Sequence, residues 1–248
     1  HPVAQRAVLP GAPGTFAVTG GAGGLGLIFS QWLARRGARR IVLLGRRAAA
    51  GDAAGAAIAA VAASGGAGTE VLYESADVAD AARLREVLGE AAARGELRGV
   101  LHCAGVIDDA SIARQDIARL RRAFSPKVSG SWNLHELLGG NHHHHHKGPR
   151  AAAAAREVRD TPSAASVFVL FSSVSALLGS FGQANYAAAN AFMDGLARLR
   201  AHSGLAALSV RWGAWAEVGM ATSAAAMRGL EQGGHLPLRP AAGVACLE

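Results

Sequence analysis

The 248-residue chain is half apolar, enough for one large α/β domain with a buried core, and has neither an apolar run long enough to span a membrane nor a charged-then-apolar leader. Its formal charge of +7 admits an anionic partner, but the basic residues are scattered and aromatics are only 5% of the chain, too few for base-stacking platforms, so nucleic acid is set aside. The two cysteines, Cys103 and Cys246, lack metal-ligand spacing and read as reduced thiols, so a soluble, cytoplasmic domain without a disulfide framework or zinc site is expected.

Thr15 to Thr19 is a short β-rich run stopped by a glycine cluster, and Leu25 to Arg36 reads as a helix ended by Gly37. The rhythm repeats. Arg40 to Leu44 reads as a strand, Asp52 to Ala63 as an Ala-rich helix, Thr69 to Tyr73 as the third strand and Ala79 to Arg94 as a helix. Gly99 to Cys103 follows as the fourth strand, Ile117 to Leu138 as one long helix, Val167 to Phe171 as the fifth strand, Asn185 to His202 as a helix and Leu208 to Trp212 as the sixth strand. Such alternation predicts a Rossmann-like, doubly wound parallel sheet with helices on both faces, in a single domain over residues 1–248. Strand order is not visible in sequence. Residues 139–163, with the run from His142 to His146 and the alanines from Ala151 to Ala155, break the rhythm and read as a low-complexity surface insertion. Its histidines more often bind adventitious metal than a functional one, and no metal site is expected.

Thr19-Gly20-Gly21-Ala22-Gly23-Gly24-Leu25-Gly26 fits both the general dinucleotide fingerprint and the TGxxxGxG spacing of short-chain dehydrogenases. Placed between strand and helix, these glycines permit a tight turn whose N–H groups approach a pyrophosphate. At the end of the second strand, where an NAD site usually carries an acid, stand Gly45-Arg46-Arg47; a guanidinium there can grip the 2′-phosphate of NADPH, the alternative being two more solvated arginines. Asp77, Val78, Ala104 and Gly105 follow the third and fourth strands where such enzymes line adenine and ribose.

Tyr186, preceded by Ser173, has the makings of a proton donor to a carbonyl receiving hydride, but a tyrosine of ordinary pKa near 10 needs a nearby cation. In most short-chain dehydrogenases a Lys four residues on, on the same helical face, supplies it. Here that place holds Asn190. The chain has only two lysines, Lys127 and Lys147.

The glycine turn, Phe124-Ser125-Pro126-Lys127-Val128, Leu170-Phe171-Ser172-Ser173, the run from Gly182 to Phe192 and Trp212-Gly213-Ala214-Trp215 occur in the order that resembles the ketoreductase domains of modular polyketide synthases and, more distantly, of animal-type fatty acid synthases. The resemblance covers about residues 15 to 245 outside the insertion. In that family Lys and Asn exchange places, which assigns the cation to Lys127; the alternative is a surface lysine beside an ordinary tyrosine. The resemblance implies that Tyr186 is the general acid and Ser173 orients the carbonyl. It also implies that Lys127 lowers the Tyr186 pKa and bonds the nicotinamide ribose, that Asn190 supports a relay water, and that Gly213 and Ala214 flank the nicotinamide.

Val106-Ile107-Asp108-Asp109 is similar to the signature of ketoreductases that set a D-configured hydroxyl, and Leu178 stands where the opposite class carries Trp. Ile107, Asp108, Asp109, Leu178 and Gln183 are accordingly the stereocontrolling candidates. Met220, within a lid expected over Gly219 to Leu230, is the candidate for contact with the acyl chain. The alternative for Asp108-Asp109 is a cap on the next helix. No Pro lies two residues after Tyr186, so the epimerising variant is not expected. The implied partner is an acidic acyl carrier protein presenting a β-ketoacyl group on phosphopantetheine, within a multienzyme. Family members usually carry a structural half before this one and a seventh strand after the lid, so the chain reads as truncated at both ends. A fatty acid synthase-type or discrete dehydrogenase, and a silent scaffold module, stand as alternatives.

Overall fold

The computed structural model describes residues 13–46, 52–65, 68–139, 165–219, 234 and 236–247. Strands β1 (Thr15–Thr19), β2 (Arg40–Gly45), β3 (Glu70–Ser75), β4 (Leu97–His102), β5 (Val167–Ser173) and β6 (Leu208–Trp212) pair in the order β3-β2-β1-β4-β5-β6. Every pairing is parallel. The helices are α1 (Gly24–Arg35), α2 (Asp52–Ala62), α3 (Ala81–Ala93), α4 (Ile117–Phe124), α5 (Gly130–Leu137), α6 (Ser175–Leu178), α7 (Ala184–His202) and α8 (Pro240–Ala245).

Central strands of a parallel sheet are covered on both faces, which explains why β1 and the middle of β2 are buried throughout. The period of two then sorts their side chains. Phe16, Val18, Ile41, Leu43 and Phe171 pack with α1, α2, Trp212 and Trp215, whereas Ala17, Val42, Leu44, Val100, Phe168 and Leu170 pack with α3, α5 and α7. Phe29 of α1 lies edge-on to Phe171, with ring centroids 4.8 Å apart, and is flanked by Trp212 and Trp215. This aromatic cluster seats α1 beneath the ends of β5 and β6. The order reverses at β1, and the crevice outside the carboxyl ends of β1 and β4 is where an open α/β sheet receives a ligand.

The single helix expected over Ile117 to Leu138 is three segments: α4, a π-helical turn at Ser125–Ser129, and α5. Pro126 explains the interruption, because it has no N–H to give to the preceding turn. The Ser131 hydroxyl, donating to the Lys127 carbonyl, satisfies part of the loosened backbone. Beyond α5, buried Arg200 donates to the carbonyls of His135 and Leu138 and lies 4.2 Å from the Phe168 ring, fixing the edge from which the 139–163 segment departs; beyond Gly139 that segment lies outside the described residues. Both cysteines are free thiols. No helix among the described residues is long and apolar enough to cross a membrane.

Candidate active site

Thr19 ends β1 and is buried, and Gly20 turns the chain at φ +66°, a left-handed conformation that favours glycine. Gly26, in the first turn of α1, must also be glycine: a Cβ there would lie 2.1 Å from the Gly20 oxygen. The Gly21 N–H donates to the Leu44 carbonyl at 3.2 Å, pinning the turn against β2. Gly23, the N-cap of α1, offers no side-chain cap, and the first turn has no acidic residue. Gly23 and Gly24 are exposed and Leu25 is half-buried. Among the described residues, neither the N-cap nor the first turn of α1 thus brings a side-chain anion to its leading N–H groups and positive dipole end, an arrangement that fits a pyrophosphate.

The remaining cofactor candidates stand along the same sheet edge. Arg46 follows β2 and is exposed; Arg47 lies outside the described residues. Asp77 accepts from the Ala79 N–H at 2.9 Å, and buried Val78 is tied to α5 by the Asn133 amide, which donates to its carbonyl at 3.0 Å. The Ala104 N–H donates to Thr19 Oγ1 at 3.2 Å, and Gly105 follows, half-buried. Gly213 and Ala214 follow β6, where the Ala214 carbonyl accepts from Leu238 at 2.7 Å. The next segment crosses the glycine turn, since a Cβ on Gly24 would meet the Gly219 nitrogen at 2.9 Å. Met220 and the rest of the expected lid lie outside the described residues.

Tyr186 and Asn190 sit one turn apart in the first half of α7, and the Asn190 amide donates to the Tyr186 carbonyl at 2.8 Å. Ser173 is the last residue of β5, its Oγ accepts from the Ser175 N–H at 3.2 Å, and it stands with Asn190 among the groups that act on the titration of Tyr186. Lys127 arrives from the π turn. It is 2% exposed, donates through Nζ to the Phe171 carbonyl at 3.0 Å, and lies 5.2 Å from the centre of the Tyr186 ring. Strand, π turn and helix therefore bring Ser173, Lys127, Tyr186 and Asn190 to one place, next to the glycine turn.

Burial dominates the electrostatics of this cluster. It pulls the Lys127 ammonium down to about 8, with Asp194 among the groups that oppose it. Tyr186 differs from the expectation. Burial raises its pKa, with the Asp109 carboxylate adding to the rise, while the bonds from Asn190 and Ser173 oppose it. Burial outweighs Lys127, whose ammonium faces the ring and spends a hydrogen bond on Phe171 rather than on the phenol oxygen. The arrangement keeps Tyr186 protonated at neutral pH, which is the state a proton donor requires.

Asp108 pairs with Arg119 and Arg122, and Asp109 accepts from the Gln183 amide at 3.0 Å. Neither caps the next helix: Asp116 does, accepting from the Arg119 N–H at 2.7 Å. Ile107 is half-buried, whereas Leu178, at the end of α6, is 72% exposed. Two polar residues passed over in the sequence hold the frame. Buried Asn185 accepts from the Tyr186 N–H at 2.8 Å and donates to the Asp108 carbonyl at 2.9 Å, joining the Asp108 loop to the start of α7. His102, at the end of β4, lies buried between Thr19 and Pro126. It is the one strongly polar side chain in the run Gly99 to Cys103, and a polar residue in a run so apolar is the signal that could have marked it.

A family model described as a KR domain matches residues 14–145 and 152–217. A spectinabilin polyketide synthase system protein, NorA′, of Streptomyces orinoci is 39% identical over 86% of this chain. A naringenin synthase of Pestalotiopsis fici is 36% identical over 89% of it. The chain spans only 5% and 7% of those two proteins. Among solved structures, A-type ketoreductases from a modular polyketide synthase superpose with a TM-score of 0.80 at 35% identity, covering 96% of this chain and 46% of that one. The ketoreductase from the first module of phoslactomycin biosynthesis in Streptomyces sp. HK803 also gives 0.80, at 34% identity over 95% of this chain and 49% of its own. With its 3-2-1-4-5-6 parallel sheet and this sequence agreement, the chain belongs to the KR, or ketoreductase, domain family of polyketide synthases.

Proposed function

We propose that this domain reduces a β-ketoacyl thioester, presented on the phosphopantetheine of an acyl carrier protein, to the β-hydroxyacyl thioester with NADPH. The observation that carries this reading is the convergence of Tyr186, Ser173, Asn190 and buried Lys127 beside an uncapped glycine turn. Thr19, the glycines from Gly20 to Gly26 and Leu25 would hold the pyrophosphate, Arg46 and Arg47 the 2′-phosphate, and Asp77, Val78, Ala104 and Gly105 the adenosine side. Gly213 and Ala214 would flank the nicotinamide. When bound, NADPH supplies the hydride that adds to the carbonyl carbon.

Ser173 then orients the carbonyl oxygen, and the Tyr186 hydroxyl gives its proton to the oxygen as the C=O π electrons move onto it. The phenolate left behind regains a proton from solvent. Lys127 holds positive charge beside the ring while that phenolate exists. Asn190 Oδ1, buried and without a hydrogen-bond partner among the described residues, is an acceptor suited to a relay water.

The product is the D-configured alcohol, a reading supported by the Asp108-Asp109 pair and by Leu178 at the place where the opposite class carries Trp. The Asp109–Gln183 bond, three residues before Tyr186, sets the wall past which the acyl chain enters. A carrier of negative charge suits the +7 of this chain. The test is reduction of a β-ketoacyl group, free and carrier-bound, with chiral analysis of the product. Mainly L-alcohol refutes the stereochemical assignment, and no NADPH-dependent reduction of either substrate refutes the activity.

A further inference from the structure

We propose that His102 is a positioning residue whose two ring nitrogens lock the glycine turn to the lysine-bearing π turn, so that the phosphate cradle and Lys127 are set as one unit. The inference rests on the reductase reading only for what Lys127 does in turnover. His102 ends β4 directly opposite Thr19 in the β1–β4 register and is 1% exposed. Its Nδ1 lies 2.7 Å from Thr19 Oγ1 and its Nε2 lies 3.0 Å from the Pro126 carbonyl oxygen.

A carbonyl oxygen only accepts, so Nε2 carries the proton and Nδ1 is the acceptor. The Thr19 hydroxyl must then donate to Nδ1, which leaves its oxygen free to accept from the Ala104 N–H at 3.2 Å. Three bonds thus run in one direction, from Ala104 through Thr19 and His102 to Pro126. Burial, reinforced by the neighbouring Lys127 ammonium, keeps the ring neutral by holding its pKa down at about 3.

The two ends of this chain are the two parts that the chemistry needs. Thr19 opens the glycine turn, and Pro126 immediately precedes Lys127 in a π turn whose geometry is looser than an α-helix. Without the anchor on the Pro126 carbonyl, the turn could relax and carry Nζ away from Phe171 and the Tyr186 ring. Without the acceptor for Thr19, the hydroxyl would lose its fixed direction and with it the hold on Ala104. A histidine that merely filled the core would need neither bond, and a leucine would serve.

Three variants separate the halves. In His102→Gln the amide nitrogen reaches the Nε2 place and retains the Pro126 bond. In His102→Asn the amide oxygen reaches the Nδ1 place and retains the Thr19 bond, and His102→Phe keeps neither. NADPH affinity, followed by its fluorescence, is expected to fall about tenfold in the Gln and Phe variants and to stay within about threefold in the Asn variant. Turnover at saturating NADPH is expected to show the opposite pattern, falling about tenfold in Asn and Phe but little in Gln. In the unaltered protein, nitrogen NMR of the ten histidine rings should assign to His102, by the signal lost in His102→Gln, a ring that stays neutral and protonated at Nε2 from pH 7 down to about pH 5, where exposed rings become charged. That signal and the NADPH affinities judge the proposal even if no thioester is reduced, so its failure and that of the reductase reading are distinguishable. A ring protonated at Nδ1 or charged near pH 7 overturns it. So does a parallel loss of NADPH affinity and turnover in all three variants, which would mark His102 as packing alone.

Discussion

Replacing Lys127 with methionine removes a buried ammonium while keeping a side chain of similar length, and its effect on stability depends on pH in a direction the structure fixes. Burial lowers the Lys127 pKa from its ordinary 10.5 to about 8 in the folded chain. Between those values the unfolded chain binds the extra proton, so the wild-type protein gains stability as pH rises through about 8 towards 10.5 and bears the cost of the charge below that window. At about 1.4 kcal/mol per pH unit the whole effect is roughly 3 kcal/mol, of which about 2 kcal/mol falls between pH 7 and pH 10. The variant also leaves the Phe171 carbonyl without its donor, a loss on the order of 1–3 kcal/mol that does not change with pH. Denaturant or thermal unfolding of both proteins should therefore show the wild type gaining on Lys127→Met by about 5 °C or more as pH is raised over that span. The variant should lack reductase activity throughout. A gap independent of pH, or one that moves the other way, would show that Lys127 is not the buried cation described.

Gly26→Ala places a Cβ against the Gly20 oxygen and should cost at least about tenfold in NADPH affinity, measured by titration of a protein whose circular dichroism remains native. Arg46→Ala should lower the preference for NADPH over NADH by about tenfold in kcat/KM through loss of a charge-assisted bond to the 2′-phosphate. Gln183→Leu removes the amide that holds Asp109; chiral chromatography should show a mixed alcohol in place of a single configuration, and an unchanged ratio would release that pair from stereocontrol.

Much of this was legible because it is written locally. The glycine spacing and the step of four from Tyr186 to Asn190 each occupy a few consecutive residues, and each strand or helix of the alternation is read from its own short window. Strand order is not local, and neither is the convergence of Lys127 with Tyr186, which depends on parallel pairing of β4 with β5 and on the packing of α7. The apolar period across Ile117 to Leu138 concealed the π turn, although Pro126 lay in plain sight. The sign of the Tyr186 shift was hidden for a related reason. Sequence shows that a cation is available, but not that burial outweighs it or that the ammonium is turned to Phe171. Asn185 and His102 act through bonds to backbone and to one distant hydroxyl, partners that no spacing reveals.

The central claim is that the Tyr186 hydroxyl supplies the proton, and NADPH oxidation with a β-ketoacyl thioester by the wild type and Tyr186→Phe tests it most directly, with NADPH binding measured on both. The variant should bind NADPH within about threefold of the wild type while its turnover falls at least about a hundredfold, as expected for loss of a general acid. Near-normal NADPH oxidation by Tyr186→Phe would contradict the assignment.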